Sequence, residues 1–253
     1  MTPLLLAAST LLAAPTADEA KGPVYELRTY YTNQGKLDDL NRRFRDLTLR
    51  IFKKHNMTVV GFWTPQDEKD GKGDTLIYLL SFPSREAAKA SWRAFGEDPE
   101  WKKGYEESHK NGPLVKKVES VFLDPTDYSP PLPAAPDSAG SPRTFELRTY
   151  VASTGKFEAL NKRFREHTLD IFKKHGMTSV GYWIPQDEDK GHKDTLIYLL
   201  AFPSREAAKV SWQAFRDDPE WQRVAKESQP DGVRLAGKVT SVFMEPADYS
   251  PMK

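Results

Sequence analysis

Residues 25–108 recur at residues 145–228 with a fixed offset of 120 residues and roughly two positions in three identical, so that YELRTY beginning at Tyr25 returns as FELRTY beginning at Phe145. Two copies of one segment must fold as two copies of one unit, and a surface that one copy leaves uncovered has its complement in the other. The same offset pairs Gly35 with Gly155, His55 with His175, Trp63 with Trp183, and FPSREAAK at Phe82 with FPSREAAK at Phe202. After Ser108 and Ser228 the copies slip by one residue and realign at Ser120 and Ser241, which marks a loop. The period exceeds that of solenoid repeats, so each copy is read as a domain with its own small core.

Composition sets the boundaries. The domains are read as residues 23–128 and 144–250, and SPPLPAAPDSAGSPR at 129–143 is a Pro-rich linker without apolar period. Extended, such a linker reaches roughly 45 Å at about 3.1 Å per residue, so the domains can meet in either orientation. Residues 1–20 differ in kind, with an apolar run from Leu4 to Ala14 followed by Pro15, Asp18 and Glu19. This resembles a signal peptide, too short to span a bilayer, and implies a secreted or periplasmic protein. No Lys or Arg precedes the run, and no clean A-x-A site follows it. Net charge of +1 with mixed signs gives no case for a nucleic-acid partner, and the absence of cysteine excludes disulfides, thiol catalysis and cysteine-ligated metals.

Within a copy, Val24–Thr32 alternates as a strand does, and Met57–Thr64, Asp74–Phe82 and Lys117–Leu123 read as three more. After Gly35 a helix is expected, with Leu37, Leu40, Phe44, Leu47 and Ile51 on its buried stripe and Arg42, Arg43, Arg45, Arg50, Lys53 and Lys54 in solvent. Ser84 can cap a second helix carrying Ala88, Trp92 and Phe95, and Asp98-Pro99-Glu100 starts a further helical piece. The polar PQDEKDGKG between the middle strands has Lys69 and Gly71 where a calcium loop needs oxygen ligands.

The order β-α-β-β-α-β is the ferredoxin-like plan, an α+β unit whose sheet has helices on one face only. The other face needs cover, because Leu76 to Leu80 is apolar on both sides. The second copy is the obvious cover: two sheets face to face make a dimeric α/β barrel within one chain, although pairing with another chain would serve equally.

YELRTY, the Gly35 turn, the Leu/Phe helix, VGFW at Val60 to Trp63 and the helix from Arg85 to Trp92 resemble the NIPSNAP family, whose domain belongs to the dimeric α/β barrel superfamily. The likeness covers both copies. It implies that barrel fold, among relatives that include cofactor-free monooxygenases and haem-containing dismutases, while animal members are mitochondrial proteins engaged in protein interactions and mitophagy. It implies no catalytic residue set.

The candidate site is therefore sought in the strands. Along the first, Glu26, Arg28 and Tyr30 share one side, and the second copy repeats them as Glu146, Arg148 and Tyr150. If the Leu27 side meets the helices, these groups line the barrel interior, where they could hold a small polar or anionic molecule or tune a carboxylate for cofactor-independent catalysis. They could equally pair with one another only to satisfy buried charge. Trp63 and Trp183 are core or barrel-mouth residues, with ligand stacking as the other option. His55 and His175 fall near helix C-termini without neighbours at metal spacing, so no metal and no cofactor are expected. His167, where the first copy has Leu47, marks a place where the copies could differ in function, as does Ala225 in place of Tyr105. Small-molecule binding and a non-catalytic interaction module both remain open, and a roomy interior lined by Glu26, Arg28 and Tyr30 would favour the first.

Overall fold

The computed structural model describes residues 22–132 and 143–253; the expected signal peptide at 1–20 and most of the expected linker lie outside them. The first repeat runs β1 (Val24–Thr32), α1 (Leu37–Arg43), α2 (Leu49–Lys54), β2 (Thr58–Pro65), β3 (Thr75–Phe82), α3 (Arg85–Glu97), α4 (Pro99–Ser108) and β4 (Val115–Pro125). The second runs β5 (Thr144–Ala152), α5 (Phe157–Arg163), α6 (Leu169–Lys174), β6 (Thr178–Pro185), β7 (Thr195–Phe202), α7 (Arg205–Asp217), α8 (Pro219–Glu227) and β8 (Ala236–Pro246). Ser84 caps α3 by accepting from the Ala87 amide at 3.1 Å. Asp98 caps α4 by accepting from the Glu100 amide at 2.8 Å, with Pro99 in the first turn where its missing N–H costs nothing. No helix among the described residues is long and apolar enough to cross a membrane.

The eight strands close into one antiparallel barrel in the order β1-β3-β2-β8-β5-β7-β6-β4. Each repeat supplies four neighbouring strands, and two short seams join them. At one, Trp63 and Pro65 stand opposite Pro246 and Met244; at the other, Leu123 and Pro125 stand opposite Pro185 and Trp183. The barrel is thus completed within one chain, and the sheet face that each copy leaves bare is covered by the other.

The chain ends of the repeats cross over. In DYSP at Asp127, Arg165 of the second repeat grips Asp127 at 2.6 and 2.8 Å, Tyr128 donates to Asn161, and Ser129 accepts from the Tyr182 amide. In DYSP at Asp248, Arg45 of the first repeat holds Asp248, Tyr249 donates to Asn41, and Ser250 accepts from the Phe62 amide. Each repeat is therefore clamped by the other's tail.

The barrel interior overturns one expectation. It is filled by Tyr25, Leu27, Trp63, Ile77, Leu79 and Leu123 with Phe145, Trp183, Ile197, Leu199 and Met244, and Glu26, Arg28 and Tyr30 lie on the opposite, helix-covered side, as do Glu146, Arg148 and Tyr150. An eight-stranded barrel is just wide enough for its own side chains to fill, and it excludes the water a carboxylate would need. The space left measures about 10 Å³ and is bounded by apolar side chains, so no polar ligand fits there. A bulge in β2 between Val59 and Gly61 turns Trp63 into this core. Gly61 lies under the Trp63 ring, which a Cβ there would meet at 2.4 Å.

The first helix departs from its 3.6-residue count. Between α1 and α2 the chain makes a π-helical turn at Phe44–Thr48, repeated at Phe164–Thr168. The extra residue shifts the phase, so Thr48 takes the buried place expected for Leu47, and its hydroxyl donates to the Arg43 carbonyl at 3.2 Å. Arg43, expected in solvent with its neighbours, is buried instead, and so is Arg163 at the same place in the second repeat.

Candidate functional site

The Glu26 cluster is closed upon itself. The Glu26 carboxylate, 1% exposed, accepts from Arg28 on the same strand, from the Trp92 indole of α3 at 2.5 Å and from the Ser120 hydroxyl of β4 at 2.6 Å. The Arg28 guanidinium stands 4.3 Å from the Trp92 ring and donates to the Tyr30 hydroxyl at 3.4 Å. Glu146, Arg148, Trp212, Ser241 and Tyr150 repeat the cluster. Five groups from three elements converge because β1 carries acid and base two residues apart on one side. The pair is charge-satisfied, which accounts for its burial without a ligand. In the second repeat Glu146 and Arg148 also border an open cleft of about 530 Å³ along α7 and β8. Tyr78 beside the cluster is fully buried, and burial, with Tyr30 next to it, pushes its phenol well above the ordinary range, so it stays neutral.

The other expected residues have packing roles. Trp63 and Trp183 lie in the barrel core, edge or tilt against Phe145 and Tyr25 at 5.5 and 5.7 Å. His55 and His175 follow α2 and α6 and reach the Asp98 and Asp218 carboxylates at 2.8 and 2.6 Å, tying one helix end to the next helix start. His167 is half-buried on its π-helical turn. Its exchange with Leu47 has a partner: Leu47 fills the space over Gly104, where a Cβ would come within 2.1 Å of its Cδ2, and the second repeat has the buried Val224 in place of Gly104. A valine added beneath leaves no room for leucine above, so the pair changes together.

A different residue marks a site. Between the sheet and helices α1 to α4 lies a cavity of about 290 Å³ walled by Tyr30, Phe52, Trp92, Trp101 and Tyr105, and Arg43 borders it. Arg43 is 9% exposed, yet its partners are neutral: Nη1 donates to the Ser108 hydroxyl at 3.2 Å, the guanidinium stands 5.2 Å from the Trp101 ring and 5.6 Å from Tyr105, and Nε has no partner. Burial pulls its pKa below the ordinary arginine value, although an arginine stays charged. Arg163 repeats this in the second repeat, 8% exposed, with Ser228 at 3.4 Å, Trp221 at 5.0 Å and an unpartnered Nε.

A buried cation without a counter-charge is costly, and a bound anion would remove that cost. Sequence reasoning passed over these arginines because a charged side chain beside an apolar stripe is read as solvated, whereas Arg43 lies three residues beyond Leu40 on the α1 face that buries Leu37 and Leu40. One signal was available: Arg43 is unchanged as Arg163, whereas Arg50 becomes Asp170. Among the described residues no cluster of three or more His, Asp or Glu side chains could hold a metal ion.

Known structures place the fold. A candidate monooxygenase from Lactobacillus acidophilus NCFM is similar with a TM-score of 0.58 at 10% identity, over 89% of this chain and 94% of that one. A chlorite dismutase variant from Candidatus Nitrospira defluvii is similar with a TM-score of 0.51 at 9% identity, over 90% of this chain and 92% of that one. An uncharacterized NIPSNAP domain protein from Burkholderia xenovorans matches 43% of this chain over 99% of its own length, at 23% identity and a TM-score of 0.37. No curated protein matches the sequence. The NIPSNAP family model matches residues 25–130 and again 145–251, and with that double match, which takes in both halves of the barrel, the chain belongs to the NIPSNAP family.

Proposed function

We propose that this protein binds a small anionic molecule between sheet and helices, with Arg43 as the counter-ion, and that it does so after export from the cytoplasm. The observation that carries the reading is the guanidinium of Arg43, nine-tenths buried beside an aromatic cavity and paired with no carboxylate among the described residues. Arg is the side chain best suited to such a role, since its planar fork meets a carboxylate or phosphate through two parallel hydrogen bonds. The cavity walls offer phenols, indoles and the Thr48 hydroxyl, no carboxylate, and one imidazole, His109, which packs on the Tyr105 ring at 3.9 Å, so the buried cation makes binding better supported than catalysis.

Native mass spectrometry of protein purified from its own host tests this directly. An adduct lost on denaturation and absent from the Arg43→Met, Arg163→Met double variant is expected; an adduct that survives in the double variant would place the ligand elsewhere. Export rests on the Leu4–Ala14 run alone, and N-terminal sequencing of the mature protein tests it. The interaction-module reading keeps one support, the packed barrel interior. A clean apo mass with a stoichiometric co-purifying protein would favour it.

A further inference from the structure

We infer that the first repeat alone is built to take a planar aromatic monocarboxylate, so that the chain binds one such molecule rather than two. The inference rests on the anion reading above and adds the ligand class and the stoichiometry. The charge is set by what the cations around the cavity already hold. Lys117 at the mouth pairs with Glu119 at 2.5 Å and Lys116 lies 3.8 Å from Asp74, whereas Arg43 pairs with no acid among the described residues. One uncompensated positive charge calls for one negative charge, which suits a carboxylate better than a phosphate dianion.

The aromatic preference comes from the walls. Tyr105 sits 45% exposed at the mouth, its ring 5.6 Å from Trp101 and 3.9 Å from the His109 ring, and His109 is anchored through Nδ1 to the Tyr105 carbonyl at 2.7 Å. Tyr30 and Trp92 bound the same space from β1 and α3. A flat ring gains from such edges and faces beyond its area alone, which a saturated ring of the same size does not.

The second repeat lacks the parts that differ. Ala225 stands for Tyr105, Gln229 for His109 and Gly237 for Lys116, while Arg163 and Trp221 are retained. It keeps the buried cation and loses the outer ring wall, so an aromatic acid there would leave one face in water. The near-identity of the repeats thus ends where a ligand ring would lie.

The test is isothermal titration calorimetry of the full chain with 1-naphthoate, cyclohexanecarboxylate and inorganic phosphate. Expected are one equivalent of 1-naphthoate, at least roughly ten-fold preference over cyclohexanecarboxylate, loss of binding in Arg43→Met and unchanged binding in Arg163→Met. Tyr105→Ala, a half-exposed position whose loss does not threaten the core, is expected to weaken 1-naphthoate about ten-fold and erase the ring preference. Two equivalents, equal affinity for the two acids, preference for phosphate, or loss of binding in Arg163→Met would overturn this inference while leaving an anion-binding protein. Absence of binding by all three probes would overturn the anion reading with it.

Discussion

Half-buried Arg28 and buried Arg43 both lie on the helix side of the same sheet, and the same substitution to methionine should act on them in opposite ways. Arg28 neutralises Glu26, which is 1% exposed. Arg28→Met leaves that carboxylate buried with only Trp92 and Ser120 as donors, and removes the guanidinium from the Trp92 face at 4.3 Å. Breaking a buried pair from one side costs about 3–5 kcal/mol, and the two surviving donors place this case near ~3 kcal/mol. Arg43 neutralises nothing. Arg43→Met loses one hydrogen bond to Ser108 and two ring contacts beyond 5 Å, and in return removes a buried charge that lacked a partner. Replacement of ill-compensated buried charge by an apolar side chain is neutral or stabilising by about 1–4 kcal/mol, and the lost contacts set the expectation at 0 to about +2 kcal/mol. Thermal melts without added ligand read the difference. At about 2–4 °C per kcal/mol for a chain of this size, Arg28→Met should melt roughly 6–12 °C lower and Arg43→Met at or above the parent temperature. Arg148→Met and Arg163→Met should repeat the contrast in the second repeat. Equal destabilisation by Arg28→Met and Arg43→Met would show that Arg43 is a structural cation after all, and would refute the reasoning.

Three further outcomes test the framework. The Asp98 carboxyl is held well below the usual carboxylate range by Lys54 first and His55 next, and Asp218 likewise by Lys174 and His175. A depressed folded-state pKa stabilises above the unfolded value near ~4 and is lost as pH falls through and below it. Urea midpoints of Asp98→Asn, Asp218→Asn should therefore lie below the parent at neutral pH, by a gap that begins to narrow below about pH 4 and closes only well below about pH 3, where the depressed folded-state carboxyls take up protons; a gap that does not narrow between about pH 5 and about pH 3 would count against the assignment. Gly61→Ala forces its Cβ onto the Trp63 ring at 2.4 Å and should cost about 1–3 kcal/mol with a changed near-UV circular dichroism, and silence in both would mean the indole is not seated there. Finally, a protease site introduced between residues 133 and 142 should yield, after cutting, two halves that still co-elute at micromolar concentration, because both seams and both DYSP clamps remain. Separated halves would show that the linker, and not the interface, holds the barrel together.

Much of the architecture was legible before any coordinates. The alternation of β1, the cap at Ser84, the helix start at Asp98-Pro99-Glu100 and the two-sided apolar run Leu76 to Leu80 are local signals, each tied to a backbone period or a helix terminus, and all of them lie where the sequence places them. Two readings failed, for reasons that are not local. The side of β1 that faces the helices depends on which face of a closed barrel can accept a carboxylate, and that is decided by donors from Trp92 and Ser120, 66 and 94 residues away in sequence. The buried stripe of the first helix shifts at a π-helical turn that no residue type announces.

The duplication itself determined that the chain would make two ferredoxin-like units, and the bare apolar face of each determined that it needed a second sheet as cover, which the structure supplies from the same chain. Tertiary structure alone decided that the barrel is solid, that its charged residues point outward under the helices, and that one buried arginine per repeat is left without a counter-charge. A hydrophobic period records how strongly a residue is drawn from water, whereas the partner a buried charge finds, or lacks, is set by segments far apart in sequence meeting at a single place.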